Sequence, residues 1–276
     1  MVYMKIESMG FKILLFMILL MPSLACSQNR EKDNPWASPE YKDPVPWPAG
    51  RVNFCFQGDF TDSSKLLFKR AMSSWDSTTP VWFNESLCGE GVYRINLTIS
   101  QDYMIYSTLG YDPGDSNYMH IFTPDIIGFQ AVAHELGHCL GLLHEHQRPD
   151  RDRYVKILWD NLDKKCLNQF VSHDNPLYLE ESFPFDYKSI MSYGQYTCTK
   201  DDELPNMLAL DDDWNFRIGP SSWFPNELDR EKIRAIYDPH YIYGHQDDAG
   251  DDGGGNGDPD DLESIHDNNN NLIFKI

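Results

Sequence analysis

The segment from His134 to His144, which reads His-Glu-Leu-Gly-His-Cys-Leu-Gly-Leu-Leu-His, constrains this chain more than any other stretch. On a helix, residues four apart lie about 40° apart in projection, so His134 and His138 share one face and can meet one ion at about 2.0–2.1 Å. Glu135 points roughly 100° away from His134, near enough to reach a water at that ion without ligating it. A third ligand further along the same straight helix would move away from the ion. Gly141 removes the difficulty, because glycine adopts φ > 0, ends the helix and lets the chain return His144 to the metal. Three neutral imidazoles with a fourth position open describe a catalytic zinc rather than a closed structural one. His-Glu-x-x-His alone arises by chance about once in a hundred chains of this size, and requiring Gly141 and His144 makes it roughly several hundredfold rarer. Cys139 projects about 140° from His134, on the stripe of Val132, Leu136 and Leu143, which predicts a buried free thiol rather than a ligand.

The helix carrying this pattern is expected over residues 129–141, and periodicity places the other elements around it. Residues 51–56 read as a strand, and Leu67, Phe68, Ala71, Met72 and Trp75 recur at helical spacing behind a cap at Thr61 or Asp62. Short strands are expected at 81–83, 93–99 and 118–122, and a last helix at 226–237 with Leu228, Ile233 and Ile236 as its apolar contacts. Strands first and helices later predict an α+β domain over 47–243, with a mixed twisted sheet and a C-terminal half that is irregular or helical.

The ends of the chain read differently. Lys5 and Lys12 flank an apolar run, 11–21, too short to span a bilayer, and Ser23-Leu24-Ala25 supplies small residues for cleavage, so 1–25 reads as an export signal and no transmembrane segment is expected. Leu24-Ala25-Cys26 also loosely resembles a lipoprotein signal, an alternative in which Cys26 carries lipid. Residues 26–46 are polar and Pro-rich, as a leader or short prosegment would be. From 244 to 276 the chain is mostly Asp, Gly and Asn, which cannot offset its own ordering entropy and is expected to be disordered. The formal charge of −20 argues against nucleic acid and an anionic membrane surface as partners. Export makes disulfides expected. With Cys26 and Cys139 set aside, Cys55, Cys88, Cys166 and Cys198 allow three connectivities, of which Cys55–Cys88 with Cys166–Cys198 is favoured because each closes a local loop.

Downstream, Glu145 follows the third His directly, Arg148, Asp150, Arg151 and Asp152 continue the run, and Ser189-Ile-Met191-Ser-Tyr193 lies further on. Together these resemble the astacin family of metzincin zinc endopeptidases, over about residues 47–237. The resemblance implies a secreted monomer that hydrolyses internal bonds of proteins or peptides. His134, His138 and His144 would hold one Zn2+, Glu135 would act as general base, Met191 would lie under the metal, and Tyr193 would reach the oxyanion. Glu145 would contact the mature N-terminus, and the edge strand, taken as 118–122, would pair with substrate. The sequence departs from the pattern in places. Pro80 stands where a Cys is common, and Phe56-Gln-Gly-Asp59, which matches an inhibitory prosegment motif, falls at the end of the first strand and is read as coincidence. The rival function is a catalytically inactive binding module that keeps the fold; intact Glu135 and Tyr193 argue against it.

Overall fold

Val52, Phe54 and Cys55 are buried along Arg51–Gln57 (β1), because this strand has neighbours on both edges and a core against it. The structure is a computed structural model that describes residues 44–89, 93–99, 105–113, 117–122, 128–173, 182–238 and 240–241, together with two strands in the tail. After β1, Thr61 caps Asp62–Asp76 (α1), its hydroxyl accepting from Ser64 N at 3.2 Å, and Phe68, Ala71, Met72 and Trp75 form the buried stripe. Then follow Trp82–Glu85 (β2), Ile95–Ile99 (β3), Tyr106–Ser107 (β4), Asn117–Ile121 (β5) and Phe129–Cys139 (α2). The sheet order is β2-β1-β3-β5-β4, all parallel except β4, which runs antiparallel to β5. One core cluster joins Val52, Ile95, Leu97, Met119 and Ile121 from the sheet to Phe68, Trp75, Val132 and Leu136 from the two helices. Trp75 Nε1 donates to Ala133 O at 3.0 Å and ties α1 to α2.

Beyond α2 the chain is short 3-10 turns and loops around a second apolar cluster that includes Val155, Leu162, Phe170 and Met207. Val155–Ile157 (β6) and Met207–Ala209 (β7) pair antiparallel there. Glu227–Tyr237 (α3) closes this part of the chain behind a capping box in which Asn226 and Asp229 bond each other's backbone N–H. In the tail, Ser264–His266 (β8) and Leu272–Phe274 (β9) pair antiparallel as a unit by themselves. The export signal and nearly all of the leader fall outside the described residues, as does the rest of the tail. Among the described residues no helix is long and apolar enough to cross a membrane.

The architecture is the α+β arrangement expected, with an irregular C-terminal half, and two local readings need correction. The strand at 117–121 is not the edge of the sheet, because β4 pairs with its His120 and Met119. A two-residue strand has no periodicity to detect, so the true edge was invisible. On α3, Ile233 enters the core but Leu228 stays half-exposed, and the other residues buried there are the charged Asp229 and Lys232. The Phe56–Asp59 motif lies at the end of β1, with Asp59 exposed.

Cys55–Cys88 and Cys166–Cys198 are bonded, the local pairing favoured above, and Cys139 is a buried free thiol. The first bridge spans a sequence separation of 33 residues. Replacing Cys55 and Cys88 by Ser should therefore lower unfolding free energy by about 3–4 kcal/mol, through the greater freedom of the unfolded chain. Urea titration of the double variant checks this, and an unchanged midpoint would contradict it.

Candidate active site

α2 ends where the site needs it to end. Leu140 caps the helix and Gly141 takes φ +106, a conformation that strains any other residue, while its N–H still bonds His138 O at 2.9 Å. The chain turns there, Leu142 N returns to Gly137 O, and His144 sits on extended backbone. Its Nε2 lies 3.2 Å from that of His134 and 3.0 Å from that of His138. The opposite nitrogen of each ring has an acceptor: His134 Nδ1 faces Ile190 O at 2.7 Å, His138 Nδ1 faces Leu142 O at 2.7 Å, and His144 Nδ1 faces Gln147 Oε1 at 2.8 Å. Two of these acceptors are carbonyls of the main chain, and with the Gln147 amide oxygen they place every ring proton on Nδ1. Three Nε2 lone pairs are then left pointing at a common centre, which repels unless a cation occupies it. Tetrahedral zinc with Zn–N near 2.0–2.1 Å separates its nitrogens by roughly 3.3 Å, so the donor set fits that ion with a position to spare. This His trio is the group among the described residues able to hold a metal.

The neighbours of the trio complete the chemistry. Glu135 is buried, and burial raises its carboxyl above the ordinary value, opposed by the hydrogen bond from Ser107. Ser107 Oγ on the edge strand donates to Glu135 Oε2 at 2.8 Å. Tyr193 has its ring 4.4 Å from that of His144, and burial pushes its phenol up to about 12, so it remains a hydrogen-bond donor. Met191 is buried under α2, and a Cβ added to Gly137 would stand 2.5 Å from Met191 Sδ, so even alanine there would make Met191 shift. His146 is stacked on His144 at 5.0 Å and packs on Tyr193 at 4.6 Å.

The Glu145 carboxylate has three donors within the described residues. Its Oε1 accepts from Arg148 Nη1 at 3.0 Å and Asp186 N at 2.8 Å, and its Oε2 accepts from Lys232 Nζ at 2.6 Å. Arg148 is also held by both oxygens of Asp150, each at 2.9 Å, and by the carbonyls of Phe183 and Pro184. One turn before Lys232, Asp229 accepts from Ser189 Oγ at 2.5 Å and Ile190 N at 3.0 Å, and burial pushes its carboxyl up to about 6, opposed by Lys232. Of these partners, sequence reading missed Ser107, Gln147, Asp186, Asp229 and Lys232. Gln147 carries a faint signal three residues after His144; the others are distant in sequence and meet the site only through folding.

Residues 40–238 match the model of the family described as Astacin, a family of peptidases. The zinc metalloproteinase dpy-31 of Caenorhabditis elegans is 30% identical over 174 residues, which is 63% of this chain and 29% of that protein. Its namesake in Haemonchus contortus is 34% identical over 62% of this chain and 31% of its own length, and human tolloid-like protein 2 is 30% identical over 60% and 16%. The chain thus spans well under half the length of these relatives. Among solved structures, the hatching enzyme zinc-protease high choriolytic enzyme 1 of Oryzias latipes superposes with a TM-score of 0.60 at 22% identity, covering 70% of this chain and 93% of that one. Myroilysin gives 0.51 at 22% identity over 70% and 96%. At such identities the likeness speaks for the fold.

The buried rings make a pH prediction for the metal-free protein. Burial, with the Arg151 guanidinium adding, pushes His146 down to about 3, and burial beside His138 holds His144 well below its ordinary 6.5. The unfolded chain therefore takes up protons that the folded chain refuses. Stability is full above about pH 6.5 and falls as pH drops toward 3, by roughly 1.4 kcal/mol per pH unit for each ring. Chelator-treated protein should lose about 3 kcal/mol between pH 7.5 and 5.5 in urea titrations; a flat profile would contradict the burial of neutral imidazoles.

Proposed function

The chain belongs to the astacin family of peptidases, and on that premise we propose that it is an exported zinc-dependent endopeptidase that cuts internal bonds of proteins or peptides. The observation that carries this reading is the convergence of three Nε2 lone pairs beside a buried glutamate. His134, His138 and His144 would hold the ion. Zinc bound there would supply a Lewis acid that polarises a carbonyl and lowers the pKa of water toward 7.

The remaining steps belong to side chains of this protein. Glu135, with Oε2 fixed by Ser107, accepts a proton from the attacking water and passes it to the departing amine as the C–N bond breaks. Tyr193, kept as a phenol, donates a hydrogen bond to the oxygen that gains charge. An extended substrate adds as a strand along β4, whose Ser107 already contacts the base, so the edge strand and the catalytic carboxylate are mechanically one unit. Two disulfides support an oxidising compartment, in keeping with the export signal read at 1–25 and, in the alternative, with lipid at Cys26. The leader at 26–46 would be removed on maturation.

Glu135→Gln should keep zinc and lose turnover by about 10³-fold, read as casein cleavage with zinc content measured in parallel. Wild-type rates in that variant would overturn the assignment of the base. Tyr193→Phe should lower kcat by about 10²-fold and leave KM within a few-fold, since the phenol acts on charge that develops during reaction; a change confined to KM would refute that role. A zinc-loaded wild type that binds casein and never cleaves it would instead identify the inactive binding module.

A further inference from the structure

Lys232 has a side chain 2% exposed, and the Glu145 side chain it meets is 1% exposed. Burying two charges this deeply is costly unless each is matched, so the pair is a specific feature of the fold and not incidental. Arg148, the other cation at Glu145, gives both of its Nε and Nη2 donors to Asp150, so its charge is shared with a second carboxylate. The ammonium of Lys232 meets Glu145 Oε2 at 2.6 Å, a shorter contact than the 3.0 Å from Arg148. Glu145 in turn fixes the third imidazole, because it follows His144 directly and its N–H donates to Met191 O at 3.1 Å.

The same helix reaches the other side of the site. Asp229 holds Ser189 Oγ and Ile190 N, and Ile190 O accepts from His134 Nδ1. α3 thus places an acid and a base one turn apart, the acid on the backbone that orients His134 and the base on the carboxylate beside His144. The N-terminal part of the described chain is anchored elsewhere: Trp47 Nε1 donates to Cys139 O at 2.8 Å and its N–H to the Tyr237 hydroxyl at 3.3 Å.

We propose that Lys232 is a positioning residue for the third imidazole: its ammonium neutralises and fixes Glu145 from within the chain, so the His144 turn is set without an amine from a cleaved N-terminus. The resemblance assigns that contact to the mature N-terminus, and here, among the described residues, the carboxylate accepts from Lys232, Arg148 and Asp186 N. The proposal rests on reading the His trio as a zinc site.

The test uses the full chain with three readouts: zinc affinity by chelator competition, hydrogen exchange at the Glu145 amide of the metal-free protein, and kcat and KM on a peptide. Lys232→Met should weaken zinc about 10–100-fold, raise Glu145 exchange at least about tenfold and leave KM within about threefold, as loss of a partner behind a ligand does. Lys232→Arg should recover most of both losses. Converting the α-amine of the wild type to a carbonyl by selective transamination should change neither readout. If Lys232→Met does not fold, Glu145→Gln with Lys232→Met, which leaves no unpaired buried charge, takes its place with the same expected losses. Wild-type zinc affinity and exchange in the variant that folds would overturn the proposal, as would loss of zinc on blocking the α-amine. A wild type that cleaves nothing or holds no zinc would sink the proposed function, while amide exchange would still decide the role of Lys232.

Discussion

Three imidazoles, with His144 Nε2 3.2 Å from that of His134 and 3.0 Å from that of His138, are the constraint around which this domain is arranged. Left alone, the arrangement is unfavourable, and it persists because each ring is gripped from behind by an acceptor that cannot move independently. Ile190 O belongs to the turn that carries Met191, Leu142 O belongs to the bend after Gly141, and Gln147 belongs to the 3-10 turn after His144. The three acceptors therefore orient the donor set that would hold a cation. Such preparation moves ordering costs from the binding step into folding.

The grip depends in turn on how α2 is seated. Trp75 bonds Ala133 O midway along the helix, and Trp47 bonds Cys139 O at its end, so two indoles fix the axis on which His134 and His138 ride. Gly137 lets Met191 approach α2 more closely than any side chain would allow. The edge strand adds Ser107 against Glu135, which links the rim of the sheet to the carboxylate. Apolar packing sets these distances, and the polar contacts then select one orientation at each.

Charges buried behind the site do a different job. Glu145, Arg148, Asp150, Asp186, Asp229 and Lys232 form a bonded cluster between α3, the Met191 turn and the segment after His144. An apolar cluster of equal volume would cost less desolvation, but it would tolerate sliding, whereas a paired network has one register. Fixed geometry, more than stability, is what such a cluster contributes.

Sequence alone determined the parts that repeat locally. The spacing of His134, His138, Gly141 and His144 dictates a helix that stops and a chain that returns, and the stripe of α1 is legible for the same reason: neighbours in sequence become neighbours in space at fixed periods. The disulfide pairing was legible because each bridge closes a short loop. Only the tertiary structure decided that β4 and not β5 is the sheet's edge, that Ser107 touches Glu135, and that Lys232 reaches Glu145 across a separation of 87 residues. Those contacts join residues with no periodic relation. Lys232 on α3 looks like any solvated lysine until the fold closes over it, since burial and partnership are properties of the packed chain and not of the residue.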